Sequence, residues 1–229
     1  MQQASGHTLK AFDEDIERLR ALISQMGGLA EHSITEAMRC LIQRDTEGAE
    51  RVIADDKKLD TLEIETERRA VQLIALRAPM AGDLRDVVAA LKISGVVERI
   101  GDYAKNIAKR VPQLEGAAKI EPISLLPEMA RIATGMVHDV LDAFVERDAP
   151  AAVRVCERDA AVDDFYDSIF RALLTHMMEN PHNIGQSAHL LFVAKNLERV
   201  GDHATNIAEM VYYAATGDHM ADRPGKTPK

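Results

Sequence analysis

From Leu9 the apolar residues recur at alternating steps of three and four: Leu9, Phe12, Ile16, Leu19, Ile23, Met26 and Ala30, then Ala37 and Leu41. That spacing keeps one face of a helix apolar along its length and predicts a long helix packed on others, reaching about Arg44. Residues 1–7 read as a frayed start. Gly27-Gly28 interrupts the stripe at a cost of about 1 kcal/mol per glycine relative to alanine, which suggests a soft spot or a close helix crossing. A second helix is expected from Thr46 to Arg77, stopping before Pro79 because the residue preceding proline is driven out of the helical region. Asp83 is placed to cap a third helix, with Asp86 in its first turn, and that helix runs to about Val111. Pro112, Gly116, Pro122 and Pro127 cluster into a linker. The plan then repeats. A fourth helix spans Leu126 to Arg147, and a fifth, with Pro150 in its first turn, reaches Met178. Asn180-Pro181 makes a turn, and a sixth helix runs from Ile184 to Thr216, stopped by Gly217.

The repetition is written in the residues themselves. Glu98-Arg99-Ile100-Gly101-Asp102-Tyr103-Ala104-Lys105-Asn106-Ile107-Ala108 returns 100 positions later as Glu198-Arg199-Val200-Gly201-Asp202-His203-Ala204-Thr205-Asn206-Ile207-Ala208, with eight of eleven positions identical. Upstream the offset is 103: Arg44-Asp45 matches Arg147-Asp148, and Asp56/Asp60 matches Asp159/Asp163. Self-similarity at a fixed period marks a duplicated unit. The expected fold is all-α, two tandem three-helix bundles over 1–115 and 122–217, followed by a disordered tail over 218–229. The second copy is three residues shorter between its motifs, most simply around its turn.

Composition agrees with helix packing. Hydrophobic residues are 46% of the 229, aromatics only 4%, and there is no Trp. No apolar run approaches the ~18 residues of a membrane span, and the N-terminus shows no signal-peptide core. Cys40 and Cys156 form no metal or disulfide framework, so a cytoplasmic location is expected. The net charge of −9 argues against a nucleic-acid binder, which needs a basic face, and against spontaneous attraction to anionic lipid.

The acidic pairs carry the candidate chemistry. Asp60 and Glu98 have residue 79 as their midpoint, and so do Asp56 and Asp102. In an antiparallel hairpin, residues equidistant from the turn lie at the same height, roughly 28 Å from it at 1.5 Å per residue. Asp163 with Glu198, and Asp159 with Asp202, repeat the relation about the turn at Asn180-Pro181. Like charges at i, i+4 repel, and bringing two such pairs level calls for a cation. Arg99 and Arg199 lie one step around the helix and help only partly. A divalent or trivalent metal fits better, because hard cations take several carboxylate oxygens and bundles build such sites between facing helices. The candidate metal residues are therefore Asp56, Asp60, Glu98 and Asp102 in the first copy and Asp159, Asp163, Glu198 and Asp202 in the second, with Asn106 and Asn206 extending each stripe. The competing reading is a solvated acidic helix face retained for docking a partner. No Glu-x-x-His of the ferritin type occurs in the four motifs. Tyr103 stands where the second copy has His203, so the duplication requires no imidazole ligand. No phosphate-cradling glycine loop or nucleophile elbow appears.

These motifs resemble the PhoU family, regulators of bacterial phosphate uptake, through the paired acidic motifs in both halves and the Glu-Arg-x-Gly-Asp-x-Ala-x-Asn-Ile-Ala context. The resemblance implies two three-helix bundles whose acidic motifs bind multinuclear metal clusters of iron or zinc, with manganese or magnesium as other candidates. It implies a non-enzymatic, cytoplasmic negative regulator linking the phosphate ABC transporter, through its ATPase subunit, to the PAS domain of a sensor histidine kinase. Self-association as a homodimer and at most peripheral membrane contact are further expectations. Two alternatives from other classes are a carboxylate-bridged metalloenzyme and a metal-storage bundle.

Overall fold

The structure, a computed structural model, describes the backbone over residues 2–116 and 121–220 and the side chains over 12–116 and 123–220. Eight α-helices carry it: α1 (Gln2–Gln43), α2 (Thr46–Asp55), α3 (Lys57–Arg77), α4 (Ala81–Ala108), α5 (Leu126–Glu146), α6 (Ala149–Glu157), α7 (Asp159–Glu179) and α8 (Ile184–Thr216). Among the described residues there is no strand. The all-α duplicated architecture is as the periodicity predicts, and α8 has the expected bounds. The backbone of α1 already begins at Gln2, where a frayed start is expected. Most of the expected tail, residues 221–229, lies outside the described residues.

The apolar stripe of α1 is buried as read, from Ile16 through Leu41, with Ile34 completing it. Gly27 marks a close crossing: a Cβ there would lie within contact distance of nothing but Leu141 on α5, at 2.2 Å from its Cδ1. The duplicated Arg-Asp pairs prove to be stop–start signals. Arg44 and Arg147 end α1 and α5 in the left-handed conformation, with φ of 60° and 57°. Asp45 and Asp148 then cap α2 and α6, accepting from the Gly48 and Ala151 amides at 2.8 and 2.9 Å. These satisfy donors that a helix start leaves orphaned.

Three expectations are corrected. The predicted second helix is two helices, broken at Asp56, and the fifth is likewise broken at Arg158. Each break falls in a run of charged residues, Asp55-Asp56-Lys57-Lys58 and Glu157-Arg158-Asp159, where no apolar side chain holds the helix straight against the core. Asp83 does not cap α4; Met80 is the capping residue, and Asp83 lies in the first turn, its amide bonded to the Met80 carbonyl. Asp86 is not a first-turn surface charge. It is buried, 2.8 Å from Arg20 of α1 and 3.4 Å from Arg147 at the end of α5. One carboxylate thus joins the two halves.

The halves meet through a ring of four helices. α1 packs on α4 and on α5, and α8 packs on the same two. The broken helices α2–α3 and α6–α7 lie outside this ring. Buried residues of both halves form one connected apolar cluster. The conserved geometry of the motif helices therefore places α4 and α8 at the centre, each with one face toward its own acidic partner helix and another toward its counterpart.

Candidate functional site: the two acidic faces

The break at Asp56 sets the first face. Gly101 of α4 packs against it so closely that a Cβ would stand 2.3 Å from Leu59 Cδ1 and 3.7 Å from Asp56 Oδ1. A branched side chain there would push the two helices apart, which glycine avoids. Asp56, 6% exposed, then faces Asp102 with the Lys105 ammonium between them, 2.6 Å from Asp56 and 3.0 Å from Asp102. The level-height argument is met for this pair, and the cation that reconciles it is a lysine. Its two carboxylates hold Lys105 well above the usual lysine range. Sequence reasoning passed over Lys105, although its place three residues after Asp102 is a standard helical ion-pair spacing.

Asp60 is exposed in the first turn of α3, and Glu98 is half-buried opposite. Burial, then Asp102, Glu63, Asp60 and Asp56, push Glu98 up to about 7. Glu63 is a further member that the motif reading missed; burial and the neighbouring Glu67 and Asp60 raise it too. Its Oε1 would lie 3.2 Å from a Cβ at Gly95, so it too leans on α4.

The second face repeats the scaffold with different charges. Asp159 is buried, Asp163 is exposed, and Asp202 and Glu198 are half-buried. Gly201 again gives close access, its Cβ position 3.6 Å from Asp159 Oδ1. Thr205 occupies the place of Lys105 and bonds back to the Asp202 carbonyl. The cation comes instead from Lys195, at the position of Gly95, 2.7 Å from Glu198 Oε1 and over the Tyr166 ring at 5.1 Å. The other oxygen of Glu198 is buried and has no hydrogen-bond partner. Tyr166 replaces Glu63, so the first face is the more acidic of the two.

These donors suit a hard cation, being carboxylate oxygens with one left unsatisfied. As arranged, however, they are not an assembled cage: among the described residues no three His, Cys, Asp or Glu side chains converge to hold a metal ion. Lys105 bridges Asp56 and Asp102, and Lys195 pairs with Glu198.

A family model described as the PhoU domain matches twice, at residues 23–111 and 126–211. The chain belongs to the PhoU family. It is similar, at 55% identity over 97% of this chain and 95% of the relative, to a phosphate-specific transport system accessory protein PhoU homolog of Zymomonas mobilis. A homolog of the same name from Caulobacter vibrioides is 47% identical over 96% of each chain. The crystal structure of PhoU from Pseudomonas aeruginosa superimposes with a TM-score of 0.86 at 35% identity, covering 90% of this chain and all of that one.

Between the two PhoU repeats, Tyr103 and His203 meet rather than serve separate faces. The Tyr103 hydroxyl is 2.9 Å from His203 Nε2, and the rings stack at 5.4 Å. The Tyr/His difference between the copies, which requires no imidazole ligand, is an inter-repeat contact.

The crowding at Glu98 has a pH signature. The folded protein keeps a proton on Glu98 that the unfolded chain releases above its ordinary 4.5. Folded binds more protons than unfolded between about 4.5 and about 7, so stability falls as pH rises through that window and the full penalty stands above it. Glu98→Gln should flatten that slope and stabilise the protein above neutral pH by about 1 kcal/mol, allowing for solvent screening. Urea midpoints of both proteins at about pH 5 and about pH 8 measure it.

Proposed function

We infer that this chain is the regulatory accessory protein of a phosphate-specific transport system. It acts as a negative regulator of phosphate uptake by contact with the transporter's ATPase subunit and with the PAS domain of a phosphate-sensing histidine kinase. The observation that carries this reading is the 55% and 47% identity, over nearly the full length, to relatives named phosphate-specific transport system accessory proteins. The architecture supports an adaptor: two similar helical bundles fused along α4 and α8 offer two related outer faces to two partners. No helix among the described residues is long and apolar enough to cross a membrane, which suits a cytoplasmic homodimer with at most peripheral membrane contact.

Carboxylate-lined faces repel phosphate, so these residues do not read phosphate directly. Iron or zinc, or failing these manganese or magnesium, bound by Asp56, Asp60, Glu98 and Asp102 and by Asp159, Asp163, Glu198 and Asp202 is part of the same proposal. Such a cation displaces Lys105 from between Asp56 and Asp102, and Lys195 from Glu198. It would neutralise the faces and stabilise the surface that meets a partner.

One preparation tests both parts. Tagged protein is purified from cells expressing the transporter, as wild type and with Asp56, Asp60 and Asp102 changed to Asn and Glu98 to Gln. Metal content is expected to fall by about half if the two faces bind independently, and the wild type should retain the ATPase subunit. A wild type that retains no transporter component, in cells whose phosphate uptake is unchanged when the gene is deleted, ends the adaptor reading.

A further inference from the structure

A cleft of about 490 Å³ opens between α4 and α8, and it has the opposite charge character to the acidic faces. Arg85, Lys92 and Arg99 line it, together with His203 and His219, against the single lining carboxylate of Glu209. In a chain of net charge −9 this is an island of positive charge. Arg85 donates to the Ala214 carbonyl at 3.4 Å. No carboxylate among the described residues stands within ion-pair distance of Lys92 or Arg99, whereas most other arginines of known position are paired. Cations grouped without counter-ions repel one another.

The cleft is also partly apolar. Val96 and Met210 line it, and Tyr213 stacks on His219 with ring centroids 5.0 Å apart. We propose that this cleft binds a small organic phosphate of the mononucleotide class, its phosphate held by Lys92 and Arg99, two turns apart on α4, and its planar base resting on the Tyr213–His219 and Met210 wall, where Arg85 is anchored to the Ala214 carbonyl. Guanidinium groups suit phosphate oxygens through paired, charge-assisted hydrogen bonds. Aromatic side chains accept any base by its face. The cleft volume lies within the usual range of small-molecule sites, about 300–1,000 Å³. Inorganic phosphate would engage the cations and leave the aromatic wall unused. The cleft opens between α4 and α8, and the proposal does not depend on the transport reading.

Titration calorimetry of the full chain with AMP tests this, in EDTA so that metal on the acidic faces plays no part. Saturable binding is expected. The double variant Lys92→Gln/Arg99→Gln should weaken it by about tenfold or more. Tyr213→Ala should weaken AMP binding several-fold while leaving any inorganic phosphate binding unchanged. Circular dichroism checks that both variants keep their helices, and these exposed positions leave the core untouched. Absence of saturable AMP binding by the wild type overturns the proposal. So does AMP affinity unchanged in the double variant, or inorganic phosphate binding as tightly as AMP with Tyr213→Ala without effect.

Discussion

Lys105→Met should destabilise the protein by about 3 kcal/mol and make its stability depend on added divalent metal. Asp56 is almost wholly buried beneath the Lys105 ammonium, and Asp102 shares the same cation. Removing one partner of a buried pair leaves the other charge uncompensated, which costs about 3–5 kcal/mol in enclosed sites. Lys105 is partly exposed, with 27% of its side chain open to solvent, which puts the effect at the lower end. Methionine keeps the length and apolar packing of the stem, so the loss reports the charge. The variant also vacates the gap between the carboxylates. Zinc or manganese at about a hundred times its dissociation constant should then return about 2.7 kcal/mol through preferential binding to the folded state. Thermal melts of wild type and variant, with and without metal, read both effects. A variant as stable as the wild type would show that Lys105 is an ordinary surface lysine. A destabilised variant that no metal rescues would leave the pair structural and count against the metal proposal. The second face offers an internal control, because Thr205 stands where Lys105 does and no ammonium is lost there.

Gly101→Val should cost about 3 kcal/mol, against a much smaller loss for the same change at Gly201. The two glycines are equivalent in the duplication but not in space. A Cβ at Gly101 stands 2.3 Å from Leu59 Cδ1, inside any tolerable contact, whereas at Gly201 the nearest atom is Val162 Cγ1 at 3.4 Å. The Leu59 side chain can swing away from a single methyl, so alanine is a mild test. The branched valine obliges α3 and α4 to separate, and with them Asp56 and Asp102. Denaturant midpoints compared across the four proteins (wild type, both single variants and Gly101→Ala) settle the order. Equal losses at 101 and 201 would mean that helix propensity, and not the close approach, decides.

Several features were legible because they follow from period and position along the chain. Apolar residues at steps of three and four mark α1 and its buried face, proline and glycine mark where α3 and α8 stop, and the 100-residue recurrence marks two copies. The shared midpoint of Asp56 and Asp102 correctly placed these two residues at one height, because rise per residue is a property of the backbone alone.

Other features depend on which side of a helix meets which neighbour, and a single helix does not record that. The break at Asp56 follows from α3 turning to lie on α4 at Gly101, where the charged run offers nothing to hold the helix straight. Lys105 is three residues from Asp102, as many unpaired surface lysines are from an acid; only the approach of α3 makes it the counter-ion of Asp56. Glu63 and Lys195 belong to the faces through the same packing, and Asp86 became a buried link only when α1 and α5 brought Arg20 and Arg147 to it. Tyr103 and His203 occupy one position of the duplicated motif, and they touch each other across the α4–α8 contact. The amino-acid sequence by itself determined the helical periodicity, the duplication and the common height of Asp56 and Asp102, since these are local and periodic. Tertiary structure alone decided which charges are paired, which are buried and where the two repeats fuse, since those depend on the burial and distance between segments far apart in the chain.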